Sequence, residues 1–275
     1  MHIKANGITF NYQIDGAQDA PWLIFSNSLA TNLSMWDEQA SALSGSFRIL
    51  RYDQRGHGKT EAPEGRYPFA ILMADAIALM DALQIRRAHF CGLSLGGATA
   101  LGLAEQYPDR IERVIVCDSP CASTPTSAKQ WEERIVTAQG GGMAAIAEPT
   151  LQRWFPPDVY AANPPGVVKV RGMVLSTPLN GFIGCCAALA DHDFRSVVAN
   201  VSRPVLFLVG EKDPPNAEMR DMHKELNGSQ FVEIAGAGHI SNIERPEAFT
   251  HAVEKFFNDI DRENMAISGR KVHSD

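Results

Sequence analysis

A serine set between two glycines is the residue of this sequence that most directly indicates chemistry. Residues 92–96 read Gly-Leu-Ser-Leu-Gly, a match to G-x-S-x-G with Ser94 at its centre. The apolar run before it is typical of a buried strand, and the small residues after it are typical of a packed helix. So tight a turn strains the serine backbone and exposes its hydroxyl, which predicts that Ser94 is a nucleophile. The alternative is a serine that only caps the helix.

The base that such a serine needs is most readily supplied by a histidine, which titrates near neutral pH. His239 is the best placed of the eight histidines, because it follows a predicted strand on a glycine-rich loop at the sheet edge expected for Ser94. His57 is the main rival base; its other interpretation is a turn residue packed beneath the site. His192 could touch substrate or lie at the surface.

The histidine in turn needs a carboxylate to orient it. Asp213 comes three residues after the end of a predicted strand, and it gives the chain order Ser, Asp, His. Asp118, at the end of another strand, is the alternative acid, followed by Glu211 and Asp53. Asp213 also precedes two prolines, so it could simply begin a turn.

Two backbone N–H groups are expected to hold the oxyanion that forms when the serine attacks a carbonyl. One belongs to Leu95, the residue after the nucleophile, at the positive end of the following helix. The other is expected from the loop after the strand at residues 22–25, where Leu29 is the candidate.

The elements that must position these residues alternate between strand and helix patterns. This alternation predicts an α/β fold with a mostly parallel central sheet and helices on both faces. The first strand, at residues 8–14, alternates apolar and polar residues as an antiparallel edge strand does. The other strands are predicted at 22–25, 47–53, 89–91, 111–118, 204–210 and 230–234, and helices at 36–43, 68–83, 96–107, 218–226 and 246–260.

The alternation stops between residues 121 and 198, where no strand pattern occurs. Helical pieces are predicted at 131–139 and 181–190, with loops at 140–142, 156–157 and 164–165. An insertion at the carboxyl end of a strand would lie over the nucleophile, so we expect a helical lid, a packing appendage being the alternative. Residues 1–120 and 199–260 then form the core, and residues 261–275 form a polar, frayed tail.

Composition limits the partners. The 275 residues carry a net charge of −7, which argues against nucleic acid and anionic membranes, so any anionic substrate must meet a local cation. Five cysteines without C-x-x-C spacing argue against a metal site and favour a reducing cytoplasm. No signal region or membrane-length apolar run is present. We expect no cofactor, and a homodimer stays open.

Taken together, these residues resemble the α/β-hydrolase family from residue 8 to residue 260. Within it the chain is most similar to 3-oxoadipate enol-lactonases, through Phe-Ser-Asn-Ser-Leu at residues 25–29, Asp-Gln-Arg-Gly-His-Gly at 53–58, and the stretch from 177 to 193. The resemblance implies hydrolysis of a five-membered enol-lactone that bears a carboxymethyl arm.

Two positions depart from that group. Ala30 stands where a glycine is usual, and Ala190 stands where an arginine is expected in the lid. A lid arginine could hold the substrate carboxylate, a role for which Arg134, Arg153 and Arg171 are the candidate replacements. The predicted substrate-binding residues are Trp131, Arg134 and Trp154.

The sequence therefore predicts a cofactor-free serine hydrolase that acts on a small ester or lactone through an acyl-enzyme. A general carboxylesterase or amidase, a cofactor-free perhydrolase, and a non-enzymatic ligand-binding protein on the same fold are the alternatives. A haloalkane dehalogenase is disfavoured, because it needs a carboxylate where Ser94 stands.

Overall fold

The computed structural model describes residues 1–271, with side chains described up to residue 260. Eight strands form one sheet with the order β1-β2-β4-β3-β5-β6-β7-β8. Their bounds are β1 His2–Ala5, β2 Ile8–Asp15, β3 Trp22–Ser26, β4 Arg48–Tyr52, β5 Ala88–Leu93, β6 Ile111–Cys117, β7 Val205–Gly210 and β8 Gln230–Ile234.

The sheet is parallel from β4 through β8, and only β1 and β2 run antiparallel to their neighbours. The predicted fold class is confirmed. One detail of the prediction is wrong, because β2 is not the edge strand: β1 pairs along its outer side. Four residues are too few to show a period in the sequence, which is why the pattern did not reveal β1.

Eleven α-helices accompany the sheet in the described part of the chain, together with a 3-10 turn at Leu33–Trp36. They are α1 Asp37–Leu43, α2 Phe69–Ala82, α3 Leu95–Gln106, α4 Pro125–Trp154, α5 Pro157–Ala162, α6 Pro165–Ser176, α7 Leu179–Asp191, α8 Arg195–Val198, α9 Asn216–Glu225, α10 Ser241–Glu244 and α11 Pro246–Lys271.

The central strands are buried along their whole length. Every residue of β5 and β7 is buried, which explains why both appear in the sequence as continuous apolar runs. Parallel strands covered on both faces place all their carboxyl ends at one edge of the sheet. The loops that follow β3, β5, β6 and β7 therefore meet there.

Helices α4 to α8 occupy the segment between β6 and β7 that was predicted as an insertion. Its two ends meet in a short antiparallel bridge between Ala122 and Asp193. The Ser123 N–H donates to the His192 carbonyl at 2.8 Å, and the Phe194 N–H donates to the Cys121 carbonyl at 2.8 Å. The chain thus enters and leaves this segment side by side.

Three loops predicted inside this segment are helical instead. Residues 140–142 lie within α4, which kinks at Gly142, where φ is 65°. The prolines that suggested breaks at 156–157 and 164–165 instead begin helices: Pro157 is the first residue of α5 and Pro165 is the first of α6. Proline suits that position, because the first helical N–H has no partner within the helix.

No side chain of the predicted polar tail, residues 261–275, is among those described. Helix α11 continues past the predicted end at residue 260 as far as Lys271, and residues 272–275 lie outside the described residues. Within the described chain no single helix is long and apolar enough to cross a membrane; α6 and α7 pass that test only as a pair bent by 101°. The same residues contain no group of three or more His, Cys, Asp or Glu side chains arranged to hold a metal ion.

Candidate active site

Ser94 occupies the sharp turn between β5 and α3. Its backbone has φ 55° and ψ −112°, a strained conformation for a residue with a side chain. The turn requires both flanking glycines. A Cβ on Gly92 would lie 2.0 Å from the Gly96 carbonyl oxygen, and a Cβ on Gly96 would lie 2.2 Å from the Ser26 carbonyl oxygen. The strained serine and the two close approaches are what the G-x-S-x-G pattern predicted.

His239 and Asp213 form a hydrogen-bonded pair beside that turn. The imidazole Nδ1 lies 3.0 Å from Asp213 Oδ1 and 3.1 Å from Oδ2. The Asp213 side chain is fully buried, and the imidazole is nearly so. A carboxylate can only accept from Nδ1, so this contact leaves the Nε2 lone pair available to take a proton.

One cavity of about 90 Å³ joins these residues. Ser94, Asp213 and His239 line it from the sheet edge, together with Leu29. The segment between β6 and β7 supplies much of the remaining wall, through Ala122, Ser127, Trp131, Arg153, Trp154, Leu189 and His192. The structure therefore brings together Ser94, Asp213, His239, Leu29 and both predicted tryptophans.

The loop that carries Leu29 is held from below. The Ala30 N–H donates to His57 Nε2 at 2.9 Å, and the Asn27 side-chain amide donates to the Thr31 carbonyl at 3.0 Å. Among the described residues, no backbone carbonyl accepts from the Leu29 N–H. Leu95 is the first residue of α3, so its N–H has no carbonyl partner within the helix. Two backbone donors are thus available beside Ser94.

His57, the rival base, is fully buried beneath this loop. Its Nδ1 lies 3.1 Å from the Arg55 carbonyl oxygen, so both ring nitrogens contact backbone groups. Burial lowers the pKa of His57 to about 4, so the ring is neutral at physiological pH. This placement matches a turn residue packed under the site.

The alternative acids have other partners. Asp53 accepts from the N–H groups of Leu33 at 2.7 Å and Lys59 at 2.8 Å. Glu211 accepts from the Gly236 N–H at 2.7 Å. Asp118 is buried at the end of β6 and accepts from the Gly210 N–H at 2.8 Å. The His239 Nδ1–H donates to the Asp213 carboxylate.

The three candidate arginines differ sharply in their surroundings. Arg153 lines the cavity, is exposed, and lies 5.7 Å from the centre of the Trp131 ring. Arg134 donates to Thr150 at 2.7 Å and lies against the rings of Trp131 and Phe182. Arg171 pairs with Glu148 at 2.7 Å. Among side chains described up to residue 260, no carboxylate forms an ion pair with Arg153.

Several wall residues had no local signal in the sequence. Leu189, Ser119 and Ser127 line the cavity, yet nothing in their own neighbourhoods distinguishes them from ordinary helix or loop residues. The positions of Ser127 and Leu189 depend on how α4 and α7 pack over the sheet edge, and Ser119 lies in the loop after β6. His192 is the exception, since its possible contact with substrate was anticipated and it does line the cavity.

Comparison with known proteins gives a consistent result. The chain is 39% identical over 254 residues to 3-oxoadipate enol-lactonase 2 of Acinetobacter baylyi, covering 92% of this chain and 94% of that protein. It is 35% identical to 3-oxoadipate enol-lactonase 1 of the same organism, covering 94% of this chain and 97% of that protein. The crystal structure of the enol-lactonase from Burkholderia xenovorans is similar with a TM-score of 0.90 and 41% identity, covering 94% of this chain and all of that one.

The family assignment follows from these likenesses and from a direct match to a family model. That model, described as the alpha/beta hydrolase family, matches residues 23–252, which include the strained serine, the buried aspartate and the histidine that it orients. This chain belongs to the alpha/beta hydrolase family.

Proposed function

We propose that the protein is a serine hydrolase of small lactones and esters, and that its substrate is 3-oxoadipate enol-lactone. The observation that carries the hydrolase assignment is the His239–Asp213 pair, which lines one cavity with the strained Ser94. The choice of lactone is supported by likeness to enol-lactonases at 39% and 35% identity, each along more than nine-tenths of the chain.

In the proposed reaction, Ser94 Oγ attacks the lactone carbonyl carbon while His239 Nε2 takes the hydroxyl proton. The Leu29 and Leu95 N–H groups hold the oxyanion. Collapse of the tetrahedral intermediate breaks the ring C–O bond, and the His239 imidazolium gives its proton to the departing enol oxygen. His239 then takes a proton from water, which attacks the acyl-enzyme; that proton passes to Ser94 Oγ as the carboxylate product is released. Asp213 keeps the imidazole oriented and stabilises its cationic form.

We assign the substrate carboxylate to Arg153. Its guanidinium is on the cavity wall, and the chain as a whole is negatively charged, so a local cation is needed to hold an anionic substrate. Trp131 and Trp154 serve as apolar walls. Arg134, predicted as a substrate contact, supports Trp131 in this proposal, because its guanidinium lies 5.4 Å from the centre of that ring.

Residues 121–198 act as the lid in this proposal. The support for that role is that two helices of the segment, α4 and α7, supply residues of the cavity wall that Ser94 also lines, and that the two ends of the segment meet at the Ala122–Asp193 bridge. A lid of this kind excludes water and strengthens the polar contacts inside the site.

The test is to measure turnover of 3-oxoadipate enol-lactone and of p-nitrophenyl acetate by the purified protein. We expect kcat/KM for the lactone to exceed that for the neutral ester by a wide margin, and Ser94→Ala to abolish both activities. Ser196→Ala, at an exposed position in α8, is the matched control. The reverse substrate ranking would indicate a general carboxylesterase or amidase.

A fluorophosphonate probe separates the enzyme from a ligand-binding protein on the same fold. We expect the probe to label the wild type at Ser94 and to leave Ser94→Ala unlabelled. An unlabelled wild type would contradict the hydrolase assignment.

We also propose a reducing, cytoplasmic location, supported by five cysteines that are all free. A homodimer stays a prediction, which light scattering of the purified protein would test.

A further inference from the structure

A second buried carboxyl lies directly behind the aspartate that orients His239. Asp118 follows the last residue of β6, is 0% exposed, and has φ 48°. Its Oδ1 accepts from the Gly210 N–H at 2.8 Å, and its Oδ2 is hydrogen bonded to the Ser241 hydroxyl. The proposed mechanism gives this carboxyl no role.

Asp118 has no counter-ion. Its hydrogen-bond partners are a backbone N–H and a hydroxyl, both neutral, and no arginine or lysine pairs with it among the side chains described up to residue 260. Asp213 is its neighbour, because both residues hydrogen bond to Gly210: Asp118 Oδ1 accepts from the Gly210 N–H at 2.8 Å, and the Asp213 N–H donates to the Gly210 carbonyl at 3.1 Å. The Asp213 side chain is also fully buried. Two neighbouring buried carboxylates, one of them without a cation, cannot both stay ionised at moderate cost.

We propose that Asp118 is held as the neutral carboxylic acid and donates its proton to Asp213, so that the two carboxyls together carry one negative charge. In this arrangement Oδ2 holds the proton and also accepts from the Ser241 hydroxyl, while Oδ1 accepts from the Gly210 N–H. Asp118 is then a positioning residue: it orients the carboxylate that orients His239. Burial and the neighbouring Asp213 both raise the pKa of Asp118, in agreement with this arrangement.

The surrounding groups leave this interpretation intact. On β6, the neighbouring Cys117 thiol has its pKa raised by burial and is neutral. On the loop after β8 lies His239, and on α10 lie Ser241, which contacts Asp118, and Glu244, whose pKa burial raises to about 7. Glu244 is therefore another carboxyl of this region that can hold a proton near neutral pH, and the experiment must separate it from Asp118.

The first test is the pH profile of kcat/KM for the lactone, and it rests on the proposed function. Asp118→Asn keeps a neutral donor toward Asp213 and a carbonyl for the Gly210 N–H. We expect its acidic limb to lie within about 0.3 pH units of the wild type, with kcat reduced less than threefold. Were Asp118 ionised, the Asn variant would lose a negative charge that favours the imidazolium, and the limb would fall by about one pH unit; that result would overturn the proposal.

Asp118→Leu tests whether the Asp118 side chain positions Asp213 or only fills space. It keeps the volume but leaves Asp213 without its donor, so the carboxylate charge is concentrated toward His239. We expect kcat to fall at least tenfold and the acidic limb to move to higher pH. Equal behaviour of the Asn and Leu variants would mean that Asp118 only fills space.

The second test needs no enzymatic activity, so its failure is distinct from a failure of the proposed function. The full chain is labelled with ¹³C at its aspartate carboxyl carbons, and infrared spectra are recorded at pH 8 in H₂O and D₂O. We expect one aspartic acid C=O band that shifts in D₂O, persists in Glu244→Gln, and is absent in Asp118→Asn. An aspartate spectrum with only carboxylate bands in the wild type would overturn the proposal, even if Asp118→Asn does not fold.

Discussion

The backbone N–H of His239 donates to the carbonyl of Trp154 at 2.7 Å. Trp154 is the last residue of α4, and its indole ring also lies 5.6 Å from the imidazole, tilted by 31°. The helical segment between β6 and β7 therefore holds the main chain of the histidine whose side chain Asp213 orients. A shift of α4 would move the imidazole relative to Ser94.

Gly238→Ala tests this coupling. A Cβ at Gly238 would lie 2.4 Å from the Trp154 carbonyl oxygen, so the two must separate and the hydrogen bond to His239 must lengthen. We expect kcat/KM to fall at least tenfold, because small displacements of a catalytic group cost much of the rate. Steady-state kinetics would measure this loss.

Gly172→Ala is the control for that experiment. Gly172 lies within α6, and a Cβ there meets no atom within 4 Å. We expect wild-type kinetics and equal or slightly higher stability, since alanine is the better helix former by up to about 1 kcal/mol. Unchanged kinetics in both variants would show that the Trp154 contact does not position His239.

Substitution of Arg153 addresses substrate choice. Arg153→Met keeps an unbranched aliphatic side chain and removes the charged guanidinium, which lies 5.7 Å from the centre of the Trp131 ring. A charge-assisted hydrogen bond to a carboxylate contributes about 1.5–3 kcal/mol, so we expect KM for the anionic lactone to rise about tenfold or more. Turnover of neutral p-nitrophenyl acetate should fall much less.

Two further arginine variants make this comparison specific. Arg171→Met removes a guanidinium that pairs with Glu148, and it should leave KM for the lactone unchanged. Arg134→Met removes the neighbour of Trp131 and should affect the lactone and the neutral ester alike. A rise in lactone KM caused by Arg134→Met alone would assign the carboxylate to Arg134 instead.

The sequence predicted the sheet well because its central strands are buried along their length and appear as short apolar runs. It also predicted the residues around Ser94, because backbone crowding at Gly92 and Gly96 leaves few alternatives to glycine. The proline pairs were misleading, since a proline that prevents a helix from continuing is equally suited to begin one. Pro157 and Pro165 do the latter.

The choice among the arginines could not be made from sequence. Arg134 and Arg153 both lie on α4, and both guanidinium groups lie near the Trp131 ring. Only the packing of α4 against α7 decides which one faces the cavity. The protonation state of Asp118 could not be predicted from nearby sequence either, because its partners are a backbone N–H from β7 and a hydroxyl from α10.

Protonation of His57, which lies beneath the loop carrying Leu29, should destabilise the folded state at low pH. Its pKa is about 4 in the folded chain and 6.5 in the unfolded chain, so the unfolded state binds more protons between these values. The associated stability is present above pH 6.5 and is lost as the pH falls toward 4, by about 2–3 kcal/mol at pH 4.5. Protonation of Nε2 also removes the acceptor of the Ala30 N–H.

His57→Gln retains an acceptor at the position of Nε2 and does not titrate. We expect denaturant unfolding to show a smaller loss of stability between pH 7 and pH 4.5 in this variant than in the wild type. The difference between the two curves, and not the absolute stability at one pH, is the quantity to compare, because glutamine also loses the contact with the Arg55 carbonyl. Parallel curves would contradict the assignment of the acid response to His57.

The buried carboxyl of Glu244 should make the folded state less stable as the pH rises, the opposite of the effect of His57. Its Oε1 accepts from the Gly238 N–H at 2.9 Å, while burial raises its pKa from 4.5 to about 7. The folded chain therefore binds more protons between these values, and the stability linked to this carboxyl is lost as the pH rises from 4.5 through 7. Glu244→Gln keeps the acceptor without the charge, so we expect its unfolding free energy relative to the wild type to increase by about 2–3 kcal/mol between pH 5 and pH 8. Denaturant titrations at the two pH values measure this, and a difference between variant and wild type that stays constant would show that Glu244 is ionised throughout.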